Sequence, residues 1–170
     1  MNPENSIDRP VPCQLERDDV GRIVHLTCAG NRPLPPESEN AWLLAVDGSP
    51  QAEQAVAAFL ALAGQFKSCR VHVANVQHWL SKEAAETELL DRGWQAAAGS
   101  VARIEESGMP WQLHLCMGDA APSIVALASR LGCRGIVVGN RGLGAAESLL
   151  MGSITRALIG LAPVPVLVVP

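Results

Sequence analysis

Tyrosine is absent, and only two phenylalanines and four tryptophans stand among 170 residues. A core built from this chain is therefore aliphatic, made of Val, Leu, Ile and Ala. Cys13, Cys28, Cys69, Cys116 and Cys133 are odd in number and form no C-x-x-C pair. That pattern excludes the usual zinc and dithiol spacings and points to reduced thiols, several of them buried, in a cytoplasmic protein. His25, His72, His78 and His114 also lack zinc-ligand spacing. His72 and His114 lie in strand-like stretches and read as partly buried neutral imidazoles. No apolar run is long enough to span a bilayer and no signal peptide opens the chain, so no membrane partner is expected. The formal net charge of -4 lacks the basic excess that nucleic acid calls for. A small anion needs only a locally positive site. With 48% hydrophobic and 18% charged residues, the body is globular and of a length for one domain.

Residues 1–40 are polar and proline-bearing, and read as an N-terminal extension, partly disordered or a short arm. Within them Ile23–Cys28 is a candidate short strand, and Asn31–Asn40 is turn or linker. The ordered domain is expected over 41–170. Trp42–Val46 is apolar throughout, as in a strand buried on both faces. It ends at Asp47-Gly48-Ser49-Pro50, where Ser49 suits a helix cap and Pro50 the first helical position. Helical spacing follows in Val56, Phe59, Leu60 and Ala63. Arg70–Val76 is a second strand. A long helical segment runs from about Ser81 to Glu106, with Gly93 and Gly99 as points of bending or breakage. Trp111–Met117 is a third strand, and Asp119 caps a third helix lined by Ile124, Leu127, Ala128 and Leu131. Gly135–Val138 is a fourth strand. Leu150, Ile154, Ala157, Leu158 and Leu161 line a fourth helix, and Val166–Val169 closes the chain as a fifth strand. Alternating strands and helices predict an open parallel five-stranded sheet with helices on both faces and its ligand at the carboxyl ends of the strands. Pro165 suits an edge position for the last strand.

The stretch after the fourth strand, Gly139-Asn140-Arg141-Gly142-Leu143-Gly144, is not a Walker A loop, since no lysine follows in G-K-[ST] order. Nor is it a Rossmann fingerprint, which opens the first βαβ unit. What is present is Gly139-x-x-Gly142, nine residues, then Gly152-Ser153. Such glycines let backbone approach a ligand without a Cβ in the way. Gly152-Ser153 offers N–H groups and a hydroxyl at a helix start, and Arg141 a charge-assisted bond to phosphate. The bland alternatives are a ligand-free turn for the loop, a solvated charge for Arg141, a simple cap for Asp47, and for Thr155 a bond to its own helix.

The segments LLAVDGSP at 43–50, IVVGNRG at 136–142, GSIT at 152–155 and APVPVLVV at 162–169 together resemble the universal stress protein family, in particular its ATP-binding subgroup. The resemblance covers residues 42–169. It implies a Rossmann-like fold of the adenine nucleotide alpha hydrolase type, strand order 3-2-1-4-5, and a homodimer through the last strand, Val166–Val169. It further implies ATP as ligand, with or without Mg2+. Asp47 would then lie beside the adenosine, with backbone near Val71 and Val73 bordering the adenine. Val138, Gly139, Arg141 and Gly142 would wrap ribose and phosphates, and Gly152, Ser153 and Thr155 would receive the phosphates. Asn140 stands where the family often has Ser or Thr. Cys133-Arg134 stands where it often has Asp before the fourth strand.

Three functions remain open on this reading: a nucleotide-responsive regulator or sensor with slow or no hydrolysis, a dimeric interaction module with nucleotide incidental, and a slow ATPase. The sequence shows no paired carboxylates for a two-metal hydrolase and no evident base for the γ-phosphate, which favours the first.

Overall fold

A computed structural model describes residues 8–35, 40–66, 68–143 and 151–170. Gly144 and Leu150, expected in the glycine loop and the fourth helix, lie outside the described residues.

The N-terminal stretch holds the strand expected at Ile23–Cys28 and adds a second strand that was not expected. Pro12–Arg17 (β1) and Ile23–Ala29 (β2) pair as an antiparallel hairpin. Its turn is built by Asp18, whose carboxylate accepts from the Val20 and Arg22 amides, and by Gly21 at φ +75°, the left-handed region that glycine enters at no steric cost. The hairpin docks antiparallel on Trp111–Met117 (β5). Five parallel strands therefore become seven. The sheet runs β1-β2-β5-β4-β3-β6-β7, with β3 Ala41–Ala45, β4 Arg70–Gln77, β6 Gly135–Gly139 and β7 Val166–Val169. The expected five-stranded sheet is corrected to a mixed seven-stranded one. Its parallel members, β5-β4-β3-β6-β7, keep the 3-2-1-4-5 order that the family resemblance implies. The strand character of β1 was hidden because the alternation in PCQLER spans only Cys13 to Glu16 behind a proline, and almost all of the strand is exposed. Its pairing with β2, not its own propensity, makes it a strand.

Helices cover both faces. α1 (Pro50–Ala63) and α2 (Lys82–Glu106) pack on one, burying Phe59, Leu89, Val101 and Ile104 against Val71, Val73, Leu113 and Leu115. α3 (Ala120–Arg130) and α4 (Ser153–Leu161) pack on the other, against Leu43, Ala74, Ile136 and Val138. Ser49 caps α1 by accepting from the Ala52 amide at 3.2 Å. Asp119 holds the cap position of α3 but makes no side-chain cap bond. The scarcity of aromatics is met by a cluster in which Trp42 packs on Phe59 and Phe66, while buried Trp111 donates its indole N–H to Glu105 at 2.7 Å.

α2 runs unbroken through Gly93 and Gly99. Both glycines mark close approach rather than weakness. A Cβ at Gly93 would lie 2.6 Å from a methyl of Leu115, and one at Gly99 would lie 2.5 Å from the Glu53 carboxylate. Two opposite outcomes follow for alanine. Gly93→Ala should destabilise despite about 1 kcal/mol of helix propensity, because fully buried Leu115 has no room to retreat and overpacking costs about 1–3 kcal/mol. Gly160→Ala, in α4 with nothing within 4 Å, should stabilise by about 0.5–1 kcal/mol. Urea melts of the two variants against the parent decide both signs.

Candidate functional site

The strand order reverses around β3. Its chain leaves into α1 on one face, while that of β6 leads toward α4 on the other. The crevice between them opens beyond the carboxyl ends of β3, β4 and β6, where open α/β sheets place ligands. A cavity of about 390 Å³ occupies this crevice, within the size range of small-molecule sites.

Its inner part is apolar, walled by Ala45 and Val46 from β3 and its end, Ala74 and Val76 from β4, Val138 from β6, and Ala120 and Ile124 from α3. Its mouth is made of Asp47, Gly139, Arg141, Gly142, Leu143 and the Gly152–Thr155 turn. Asp47 is engaged at both oxygens. Oδ1 accepts from the Ser49 amide at 3.0 Å and Oδ2 from the Leu143 amide at 2.8 Å. One carboxylate thus ties the β3–α1 turn to the glycine loop. Asn75, buried at the end of β4, donates from Nδ2 to the Val46 carbonyl at 2.8 Å and accepts from Gln77.

The glycine loop is stitched on its other side. The Asn140 amide donates to the Val169 carbonyl, and the Gly152 amide donates to the Asn140 carbonyl, both at 2.7 Å. Glycine is required at two points. A Cβ at Gly139 would lie 2.8 Å from the Gln51 carbonyl carbon in the first turn of α1, and a Cβ at Gly142 would overlap Asp47 Oδ2. α4 begins at Gly152 with no side-chain cap. Its first-turn N–H groups and the positive end of its dipole therefore stand at the cavity mouth, an arrangement that suits an anion.

Of the residues expected from sequence, Asp47, Val138, Gly139, Arg141, Gly142, Gly152, Ser153 and Thr155 line this one cavity. Val71 and Val73 do not. Both are fully buried in the core beneath α1 and α2, and β4 contributes Ala74, Asn75 and Val76 instead. Thr155 is placed but committed. Its hydroxyl donates to the Gly139 carbonyl at 2.9 Å, so it has no proton left for a phosphate. Thr155→Val should accordingly cost about 1–3 kcal/mol of stability, the penalty of leaving a buried carbonyl without its donor. Equilibrium urea unfolding reads that loss.

Sequence reasoning missed Asn75, whose signal is a buried amide near the end of an otherwise apolar strand. It also missed Ala120 and Ile124, which reach the cavity only because α3 packs across the strand ends. Trp79, though exposed on the segment after β4, does not line the cavity. It is held beneath the Arg22 guanidinium, 4.7 Å from the ring centroid.

Compared with known proteins, no curated relative matches this chain. Solved structures do. A universal stress protein from Archaeoglobus fulgidus in complex with dAMP is 22% identical with a TM-score of 0.58, over 77% of this chain and 97% of that one. A universal stress protein family protein from Arabidopsis thaliana with AMP bound is 20% identical with a TM-score of 0.57, over 76% and 90%. A universal stress protein in complex with cAMP is 22% identical with a TM-score of 0.62, over 77% and 97%. Likeness at that level establishes the fold. Among family descriptions, residues 42–170 match the one headed universal stress protein family, and with most of its length so matched the chain belongs to the universal stress protein family.

Proposed function

We propose that the cavity binds an adenine nucleotide, ATP in particular, and that the protein acts as a nucleotide-responsive regulator with slow or no hydrolysis. The observation that carries this reading is the pairing of an apolar inner pocket, sized for a base, with a mouth of glycine backbone, Arg141 and an uncapped helix start. The base would take the apolar end between Val46, Val76 and Ile124. The ribose would lie near Asp47. The phosphates would meet Arg141 and the amides at the start of α4, with Ser153 as the hydroxyl available to phosphate or to a hydrated Mg2+. The complexes of relatives with AMP, dAMP and cAMP support an adenine nucleotide as the ligand class. Regulation is favoured over turnover because Asp47, the one carboxylate among the described residues of the cavity, already accepts two backbone amides and is poorly placed to act as a base.

A homodimer through β7 belongs to the same proposal. That strand is the outermost of the sheet and its four residues are only half buried, with Ile159 and Leu161 exposed close by in sequence. Unpaired edges of this kind invite a second strand. A reducing, cytoplasmic setting suits the cysteines. Burial raises the thiols of Cys28, Cys69 and Cys116 to about 11 and that of Cys133 to about 12. No helix among the described residues is long and apolar enough to cross a membrane.

The test is calorimetric titration of the purified protein with AMP, ADP, ATP and cAMP, with and without Mg2+, alongside mass spectrometry of nucleotide carried through purification. Saturable binding of ATP is expected. Absence of heat from every nucleotide at about 1 mM, the weak limit of specific recognition, would overturn the reading. ADP appearing at many turnovers per minute would make the protein an ATPase instead.

A further inference from the structure

Three strands on the α3 side of the sheet carry a histidine each, and their rings form one chain. His72 of β4 meets His114 of β5 (Nδ1 to Nε2, 3.1 Å), and His114 meets His25 of β2 (Nδ1 to Nε2, 3.1 Å). His25 Nδ1 then faces Glu16 Oε1 of β1 at 3.0 Å and the Arg130 guanidinium of α3 at 2.8 Å. Arg130 also binds both Glu16 oxygens. The three histidine residues are 94% or more buried, whereas the Glu16 and Arg130 side chains are half exposed. The chain therefore starts at water and ends inside the protein.

We infer that this chain is a latch, and that acid releases it: protonation of the imidazoles undocks the β1–β2 hairpin from β5 and opens the edge of that strand.

The argument begins with proton counting. A neutral imidazole has one donor and one acceptor. With Glu16 accepting from His25, each ring in turn donates toward Glu16. With Arg130 donating to His25, each ring donates the other way. Both directions are complete with all three rings neutral, and both leave His72 Nε2 as the buried end without a partner among the described residues. Charges already balance at the outer end, with one carboxylate against one guanidinium. Any proton added to the chain is then an uncompensated buried charge. The remaining groups facing it offer no relief. They are Arg70 at the start of β4, a second cation, together with the Cys116 thiol of β5 and the Cys133 thiol ahead of β6, which burial keeps neutral.

Burial accordingly depresses all three histidines. His72 falls to about 4 and His114 to about 2 from an ordinary 6.5, the latter also repelled by His72, His25 and Arg130, and His25 falls although Glu16 opposes the shift. Groups depressed in the folded state and ordinary once released stabilise docking fully above about pH 6.5 and progressively less below it. Glu16 is partly desolvated, which raises it, but its bonds to Arg130 and His25 win and it is lowered from 4.5. Its contribution therefore persists until the solution is more acid still, and the histidines act first. β1 and β2 are where release takes place because they are the last two strands at one end of the sheet, paired with the parallel strands through β5 alone. The hairpin is also held by Ile23, Leu26 and Cys28, buried in the core beneath α2. Arg22 donates to the Leu80 carbonyl and Lys82 to the Val20 carbonyl. Exposed ion pairs of Arg17 with Glu86 and Arg9 with Asp91 hold weakly. Acid raises the frequency of opening against that burial.

Hydrogen exchange of the full chain, read by mass spectrometry at pH 7.5 and 5.0 and corrected for intrinsic rates, tests this. His114, at about 2 while β5 is covered, should on reaching water at an ordinary 6.5 raise opening at pH 5.0 by about 30-fold. Peptides over 12–29 and 111–117 should lose protection while those over 41–45 and 135–139 keep theirs. Unchanged protection over 12–29, or loss across the whole sheet at once, overturns the inference. A His25→Gln/His114→Gln variant keeps a donor and an acceptor at each position without the titration, and should flatten the pH dependence. Wild-type dependence in that variant also overturns it. Should the variant not fold, histidine ring NMR of the unaltered protein decides. His114 titrating near 6.5 with the hairpin docked would refute the latch.

Discussion

Gly142→Val should lower nucleotide affinity by at least about 100-fold, some 2.7 kcal/mol, while the fold survives. The reason is local. A Cβ at position 142 overlaps Asp47 Oδ2, the oxygen that holds the Leu143 amide. Asp47 must then swing away, the turn after β3 loses its tie to the glycine loop, and the new side chain projects at the cavity mouth. Position 142 is half exposed, so the loop can move outward at a cost of one charge-assisted hydrogen bond, about 1.5–3 kcal/mol of stability. Calorimetry on the variant, paired with a thermal melt, separates the two effects. An unfolded variant, or unaltered affinity, would contradict the site as drawn.

Gly139→Ala should do the reverse, reducing stability first and binding as a consequence. Here the added Cβ meets the Gln51 main chain, 2.8 Å from its carbonyl carbon. Main chain at a helix start cannot turn aside as a side chain can. Either α1 lifts from β6 or β6 shifts against both its neighbours, and the Gly139 carbonyl that Thr155 grips moves with it. Overpacking of this kind costs about 3 kcal/mol, a shift of several degrees in Tm for a domain of this length. Denaturant unfolding and differential scanning calorimetry would show it. A variant as stable as the parent would mean that α1 does not press on the end of β6.

The two glycines were legible in the sequence as a pair with a common purpose, because a buried apolar strand ending in Gly-x-x-Gly has few uses apart from close approach. Their different neighbours were not legible. That Gly142 serves Asp47 and Gly139 serves α1 depends on which segment each meets across the crevice. Asp47 itself was readable from its place after an apolar strand. The two oxygens' partners, 2 and 96 residues away, were half readable, since only the Asp47–Ser49 turn is local. Val71 and Val73 were placed beside the adenine by the family resemblance, and a buried strand gives no sign of its own of which end or face a ligand will meet. β4 sends both into the α1–α2 core and presents Ala74, Asn75 and Val76 instead.

By itself the sequence determined the elements whose signal is carried within a few residues: five apolar strands, four helices, the Ser49 cap with Pro50 at the first helical position, and the glycine turn. Hydrophobic periodicity and turn chemistry are short-range quantities, and they survive without knowledge of neighbours. Only the tertiary structure decided that Pro12–Ala29 is part of the sheet, that the Thr155 hydroxyl donates to the Gly139 carbonyl of β6, and that three histidines separated by up to 89 residues share one chain of hydrogen bonds. Each of those facts belongs to a contact between distant segments. The hydrogen-bonding capacity of a residue is written in its identity, whereas the group that uses that capacity is set by packing.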